Sequence, residues 1–134
     1  MARKISLNSA YGAIGNQYFR YYDKAIAEGI TKSGQLSIRW IENRLNKYLN
    51  NILKTDEDYV IASDTDSVYL TLDKLVTKTI KTDNALSKTI NFLDMVASES
   101  IEPYITKSYD ELKQYTNAFA NKMFMKREVI ADKG

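Results

Sequence analysis

Apolar residues recur along the chain with periods of three-to-four and of two, and the changes of period predict its elements. Ile5, Asn8 and the Ala10–Tyr11 pair share faces if residues 1–14 form a short helix that ends near Gly12 or Gly15. QYFRYYD then packs Tyr18, Phe19, Tyr21 and Tyr22 into five positions, a composition suited to extended or irregular backbone. Ile38, Ile41, Leu45, Tyr48, Leu49, Ile52 and Leu53 follow the spacing of one buried face, so residues 34–54 predict the clearest helix, a scaffold element. A polar connector, 54–58, leads into two β-branched and aromatic runs, Tyr59 to Ala62 and Val68 to Leu72, around Ser63-Asp-Thr-Asp-Ser67. That pattern predicts an antiparallel hairpin with a short connection. After a polar stretch around Lys78 to Asn84, Leu86, Ile90, Leu93 and Ala97 mark a further helix. Ile101, Ile105, Tyr109 and Leu112 mark its continuation or a successor, with Pro103 as the break or first-turn residue. The tail, NKMFMKREVIADKG, reads as a final strand. The expected class is α+β, with a sheet that is antiparallel at least at the hairpin.

Composition narrows the chemistry. At 134 residues, 44% apolar and 27% charged, the chain has the profile of one ordinary globular domain with a single core. The net charge of +2 is uneven: residues 1–48 hold eight basic and three acidic residues, and residues 49–134 hold eleven and fourteen. There is no cysteine and no histidine, so disulfides, thiolate or imidazole metal sites and Ser-His catalysis are excluded, leaving oxygen as the only metal ligand. No apolar run approaches the roughly 18 residues of a membrane span, and MARKISLNSAYG lacks the apolar core of a secretory signal. These features read as a cytosolic protein.

Two constellations carry the candidate chemistry. Asp64 and Asp66 lie one residue apart at the hairpin bend. Like charges that close repel unless a cation compensates, and Mg²⁺ suits one or two carboxylates completed by water and substrate phosphates. Taken alone, Asp64-Thr-Asp-Ser67 reads first as a plain turn, since Asp and Ser hydrogen-bond local backbone. The second constellation is Lys4, Asn8 and Tyr11, which project from one face of the first helix. A cation, an amide and a phenol in line suit a phosphate, a base or sugar edge and a ring face; a solvated lysine, a capping asparagine and a core tyrosine are the plainer reading. The four rings at 18–22 read first as a packed layer between helix and sheet, and second as a base-stacking platform.

Lys4-x-x-x-Asn8-Ser9-x-Tyr11-Gly12 and Asp64-Thr65-Asp66-Ser67, in that order, resemble the motifs of the family B (polymerase-alpha-like) DNA polymerases. Within that family the chain is most similar to the replicative polymerases of T-even-like tailed phages. GNQYFRYYD, the helix containing WIENRLNKYLN, SVYLTLDK, IEPYI and MFMKREVIA continue the match across essentially the whole chain. The resemblance implies that residues 1–16 end a fingers helix and that 17–134 form part of a palm domain with its catalytic hairpin. It implies Asp66 as a principal ligand of two catalytic Mg²⁺ ions, with Asp64 as a weaker one. It implies Lys4 on the incoming triphosphate, and Asn8 and Tyr11 lining the nascent base pair. Tyr11, Gly12, Ser67, Lys126 and Arg127 would lie near DNA, although Lys126 and Arg127 read equally as a solvated strand face. The implied partners are primer-template DNA and a deoxynucleoside triphosphate, in the cytoplasm of a bacterial host.

Two departures from the family pattern bear on these expectations. Ser63 stands where the family most often has glycine. The family's other metal-binding aspartate, in an Asp-x-x-Ser-Leu-Tyr-Pro-Ser motif upstream of the fingers, has no counterpart in these residues; nor do the exonuclease, most of the fingers, the lysine-rich motif or the thumb. The expectation is therefore a polymerase segment inactive by itself, dependent on the remaining segments or a complementary fragment. A bare sheet edge would also invite self-association. A non-catalytic nucleic-acid-binding or interaction module on a palm-like scaffold is the alternative.

Overall fold

A computed structural model describes residues 2–79 and 86–131. The chain divides into two compact units, Met1–Leu36 and Ser37–Gly134. The class is α+β: helices dominate, and the one sheet among the described residues is a two-stranded antiparallel hairpin. No helix among those residues is long and apolar enough to cross a membrane.

The first unit pairs helix α1 (Ala2–Ile14) with the opening turns of helix α2 (Lys24–Leu53). The link is tight because Asp23 works twice. Its backbone N–H returns to the Ile14 carbonyl at 3.1 Å, and its carboxylate accepts the Ile26 N–H at 3.0 Å, capping α2. That cap explains why α2 starts ten residues before the predicted 34–54 helix. Gly29 and Gly34 weaken the helical signal there, but neither interrupts the helix, and Glu28 pairs with both Lys24 (3.5 Å) and Lys32 (3.6 Å) one turn away on either side. The four clustered rings are not the packed layer that their composition first implied. Tyr18, Phe19, Tyr21 and Tyr22 are all exposed, Tyr18 at 87%.

The second unit is built on the remainder of α2. Its buried positions, Ser37, Ile41, Leu45, Leu49 and Leu53, recur every four residues. Four residues turn a helix through about 400°, so this row drifts by about 40° per step and crosses the helix obliquely. One seam therefore serves two clusters. Ile41 and Leu45 pack with Ile101, Ile105, Tyr109 and Leu112, while Leu49 and Leu53 pack with Tyr59. The α2–α5 contact is reinforced by Trp40 Nε1 donating to the Ser108 carbonyl (2.9 Å), by Tyr48 stacked on Tyr104 (4.2 Å between centroids), and by an Arg44–Glu111 ion pair (2.7 Å).

Strands β1 (Val60–Asp64) and β2 (Ser67–Leu70) form the expected hairpin, and Val68, Leu70 and Leu72 rest on the helical core. Helix α3 (Asp73–Thr79) occupies part of the stretch read as polar, and residues 80–85 lie outside those described. Helix α4 (Leu86–Val96) runs through a π turn (Ala97–Ile101) into helix α5 (Glu102–Tyr115). Pro103 is thus a first-turn residue and no break: the π turn widens the hydrogen-bond spacing, with Glu102 N–H bonded to the Ala97 carbonyl, just where proline cannot donate.

The predicted final strand does not form among the described residues. Residues 118–131 adopt no regular secondary structure and pair with neither β1 nor β2. They are strapped to helices instead. Arg127 pairs with Asp94 and donates its backbone N–H to Glu102 (3.0 Å), Asn121 bonds Asp110 (2.8 Å), and Met125 packs on the core.

Candidate functional site

Asp64 is the last residue of β1 and pairs with Ser67, so Thr65 and Asp66 form a two-residue connection. Such loops need a residue of positive φ, usually glycine or asparagine. Here it is Thr65, at φ 46°, where a branched β-carbon is strained. Local bonds hold the turn: Thr65 Oγ1 donates to Asp64 Oδ1 (3.0 Å), Ser67 Oγ donates to the Asp64 carbonyl (3.1 Å), and the Asp66 N–H donates to that same carbonyl. Asp64 and Asp66 are exposed, and neither carboxylate is in an ion pair among the described residues. Ser63 lies in the ladder opposite Val68 and is not among the residues of positive φ. The left-handed conformation that would have favoured glycine falls two residues later.

Two asparagines, which sequence reasoning passed over as part of a scaffold helix, set where this hairpin starts. Asn46 Oδ1 accepts the N–H groups of Tyr59 (2.9 Å) and Val60 (3.2 Å), and its Nδ2 donates to Asp58 (2.7 Å). One turn on, Asn50 accepts the Glu57 N–H (2.9 Å) and donates to the Glu57 carbonyl (2.8 Å). The available signal was two amides four residues apart on the polar flank of an amphipathic helix that faces a polar connector.

Lys4, Asn8 and Tyr11 all fall on α1 and are exposed, at positions that share one face. Thr31 Oγ1 donates to the Ala27 carbonyl (3.1 Å), which leaves Tyr11 as donor in the 2.7 Å bond between its hydroxyl and that oxygen. The ring is thereby tethered to α2 while 43% of Tyr11 stays accessible. Gly12 is exposed next to it. Lys126 is exposed in the tail, whereas the Arg127 guanidinium is engaged by Asp94.

The donor set at the hairpin fits a hard cation: oxygen ligands only, solvent-facing and in no ion pair among the described residues. Among the described residues no group of three or more His, Cys, Asp or Glu side chains could hold a metal ion. A cation at Asp64 and Asp66 would draw its other ligands from water, substrate or further carboxylates.

A family model described as DNA polymerase family B matches residues 1–122. The chain is 42% identical over 131 residues to a DNA-directed DNA polymerase of Escherichia phage RB69, and 43% identical over 134 residues to one of Enterobacteria phage T4. Each match covers 96% of this chain but only 14% and 15%, respectively, of the relative's length. A DNA polymerase of Choristoneura biennis entomopoxvirus is 28% identical over 96 residues, covering 53% of this chain and 10% of that protein.

Proposed function

This chain belongs to DNA polymerase family B, and from that premise we propose that it is the segment of a DNA-directed DNA polymerase that joins the fingers, residues 1–16, to part of the palm, residues 17–134. The observation that carries the reading is the strained Asp64–Ser67 turn, which presents two exposed carboxylates, in no ion pair among the described residues, at the tip of a hairpin braced on a helical core. The reaction is template-directed transfer. The primer 3′-oxygen forms a bond to the α-phosphorus of a deoxynucleoside triphosphate, the bond to pyrophosphate breaks, and the hydroxyl proton leaves to solvent.

Asp66 and Asp64 would hold Mg²⁺. When bound, the metal supplies the positive charge that such a triphosphate and the developing alkoxide require. Lys4 neutralises triphosphate oxygens. Asn8 and the tethered Tyr11 ring form a wall for the nascent base pair, with the Thr31 bond holding the phenol still. Gly12, Ser67 and Lys126 contact DNA, and Arg127 acts first as a strap. The segment by itself is inactive, because its two carboxylates lack the family's other metal-binding aspartate; activity requires a complementary polymerase segment.

The test is co-purification with an upstream segment bearing the missing aspartate motif. Primer extension should appear only in the pair, and Asp66→Ala should lower it by at least ~10³-fold, the order expected when transition-state charge stabilisation is lost. Extension by the 134-residue chain alone, or an undiminished rate in the Asp66→Ala pair, would refute the proposal. One observation favours a second reading, a non-catalytic nucleic-acid-binding module. The exposed rings at 18–22 flank Arg20, whose guanidinium lies 5.4 Å from the Tyr21 centroid. That reading expects single-stranded DNA binding weakened by Tyr18→Ala and no restored extension in the pair.

A further inference from the structure

The register the hairpin adopts is offset from that of a regular two-stranded ladder. Val60 pairs with Leu70, but from Ala62 onward the partners are offset by one: Ala62–Tyr69, Ser63–Val68, Asp64–Ser67. Ile61 is the extra residue of a bulge. Without the bulge, Ile61 would face Tyr69, Ala62 would face Val68, Ser63 would face Ser67, and Asp64, Thr65 and Asp66 would form a three-residue loop. That register suits the side chains better. It places Ala62 beside Val68 on the core side and pairs Ile61 with Tyr69, and it frees Thr65 from its tight turn. In the observed register Ala62 lies exposed opposite an exposed Tyr69.

We propose that Asn46 imposes the bulge and is thereby a positioning residue for Asp64 and Asp66. In a regular strand, successive N–H groups point to opposite edges. Asn46 Oδ1 accepts two successive ones, those of Tyr59 and Val60, so the backbone leaves the pleat immediately before Ile61. The capture also takes the Tyr59 N–H from the ladder: Thr71 donates to the Tyr59 carbonyl at 2.9 Å, while the Tyr59 N–H goes to Asn46. Asp58 completes the clamp, accepting from Asn46 Nδ2 and, at 3.0 Å, from the Val60 N–H. The consequence at the tip is specific. The bulge puts Asp64 in the ladder and leaves Asp66 in a two-residue turn, whereas the regular hairpin would put both in one wider loop. The positional meaning rests on the metal-site reading above; the register itself does not.

The test is cross-strand nuclear Overhauser contacts by NMR on the 134-residue chain, without metal, nucleotide or DNA, so its outcome is independent of whether the polymerase reading holds. Asn46→Ala should lose the Ser63–Val68 and Asp64–Ser67 contacts and gain Ile61–Tyr69 and Ser63–Ser67. Retention of the parental contacts in Asn46→Ala overturns the proposal. If Asn46→Ala does not fold, the exchange Asn46→Asp with Asp58→Asn decides, because it keeps an acceptor for both N–H groups and reverses the donor between the two side chains. Parental contacts in that double variant support the proposal, and their absence overturns it.

Discussion

Tyr109 is 3% exposed in the α2–α5 core, and burial pushes its phenol above the ordinary value. The folded state therefore favours the neutral ring. The stability this group contributes is present below the unfolded pKa of about 10 and is lost as pH rises through the higher folded value. Thermal melts of the chain should weaken above that pH, and Tyr109→Phe, which cannot ionise, should flatten this alkaline limb while changing little at neutral pH. Equal alkaline slopes in both proteins would contradict the assignment. Single residues were legible where their chemistry is local. Asp64, Asp66 and Ser67 declare a turn by composition, and so does their place between two β-prone runs. The special backbone position was not legible: the family comparison directed attention to Ser63, and the positive φ lies at Thr65. Threonine disfavours that conformation, so nothing in its identity announced it.

Among the elements, α2 shows both the power and the limit of periodicity. Its later turns are recognisable because the core row repeats every four residues, while residues 24–36 include no buried residue and depend on the Asp23 cap. Leu45 is 1% exposed and sits in the row shared with α5. Leu45→Ala should cost about 2–5 kcal/mol, the range for an unrelaxed cavity in a packed core, read from the midpoint of urea unfolding. A loss below about 1 kcal/mol would show that the α2–α5 seam collapses around the deletion. The tail escaped sequence reading for a different reason. Its alternating methionines have strand character, yet Arg127 finds Asp94 and Glu102 on two helices, and a segment held by side chains needs no sheet partner.

The molecule as a whole spans 14% and 15% of the lengths of the two phage polymerases it matches, and its surface carries exposed apolar side chains. Phe119, Phe124 and Val129 are exposed, as are Ile61 and Tyr69 on the hairpin, and each strand of the two-stranded sheet has one edge without a strand partner among the described residues. Open edges beside apolar side chains template further pairing. Sedimentation equilibrium should show concentration-dependent association of the chain, reduced by Tyr69→Lys on the hairpin. A monomer unchanged up to high concentration would overturn the expectation of self-association.

The amino-acid sequence by itself determined the order of helix and hairpin, the core row of α2, the turn that bears the two aspartates and the family, because each is written in neighbouring residues or in short periodic spacings. Tertiary structure alone decided the register of the hairpin, the path of the tail and the exposure of the tyrosine cluster. Those depend on which groups far apart in the chain meet, as Asn46 meets Tyr59 and Val60, and a hydrogen bond across a folded interface leaves no periodic trace in the chain that forms it.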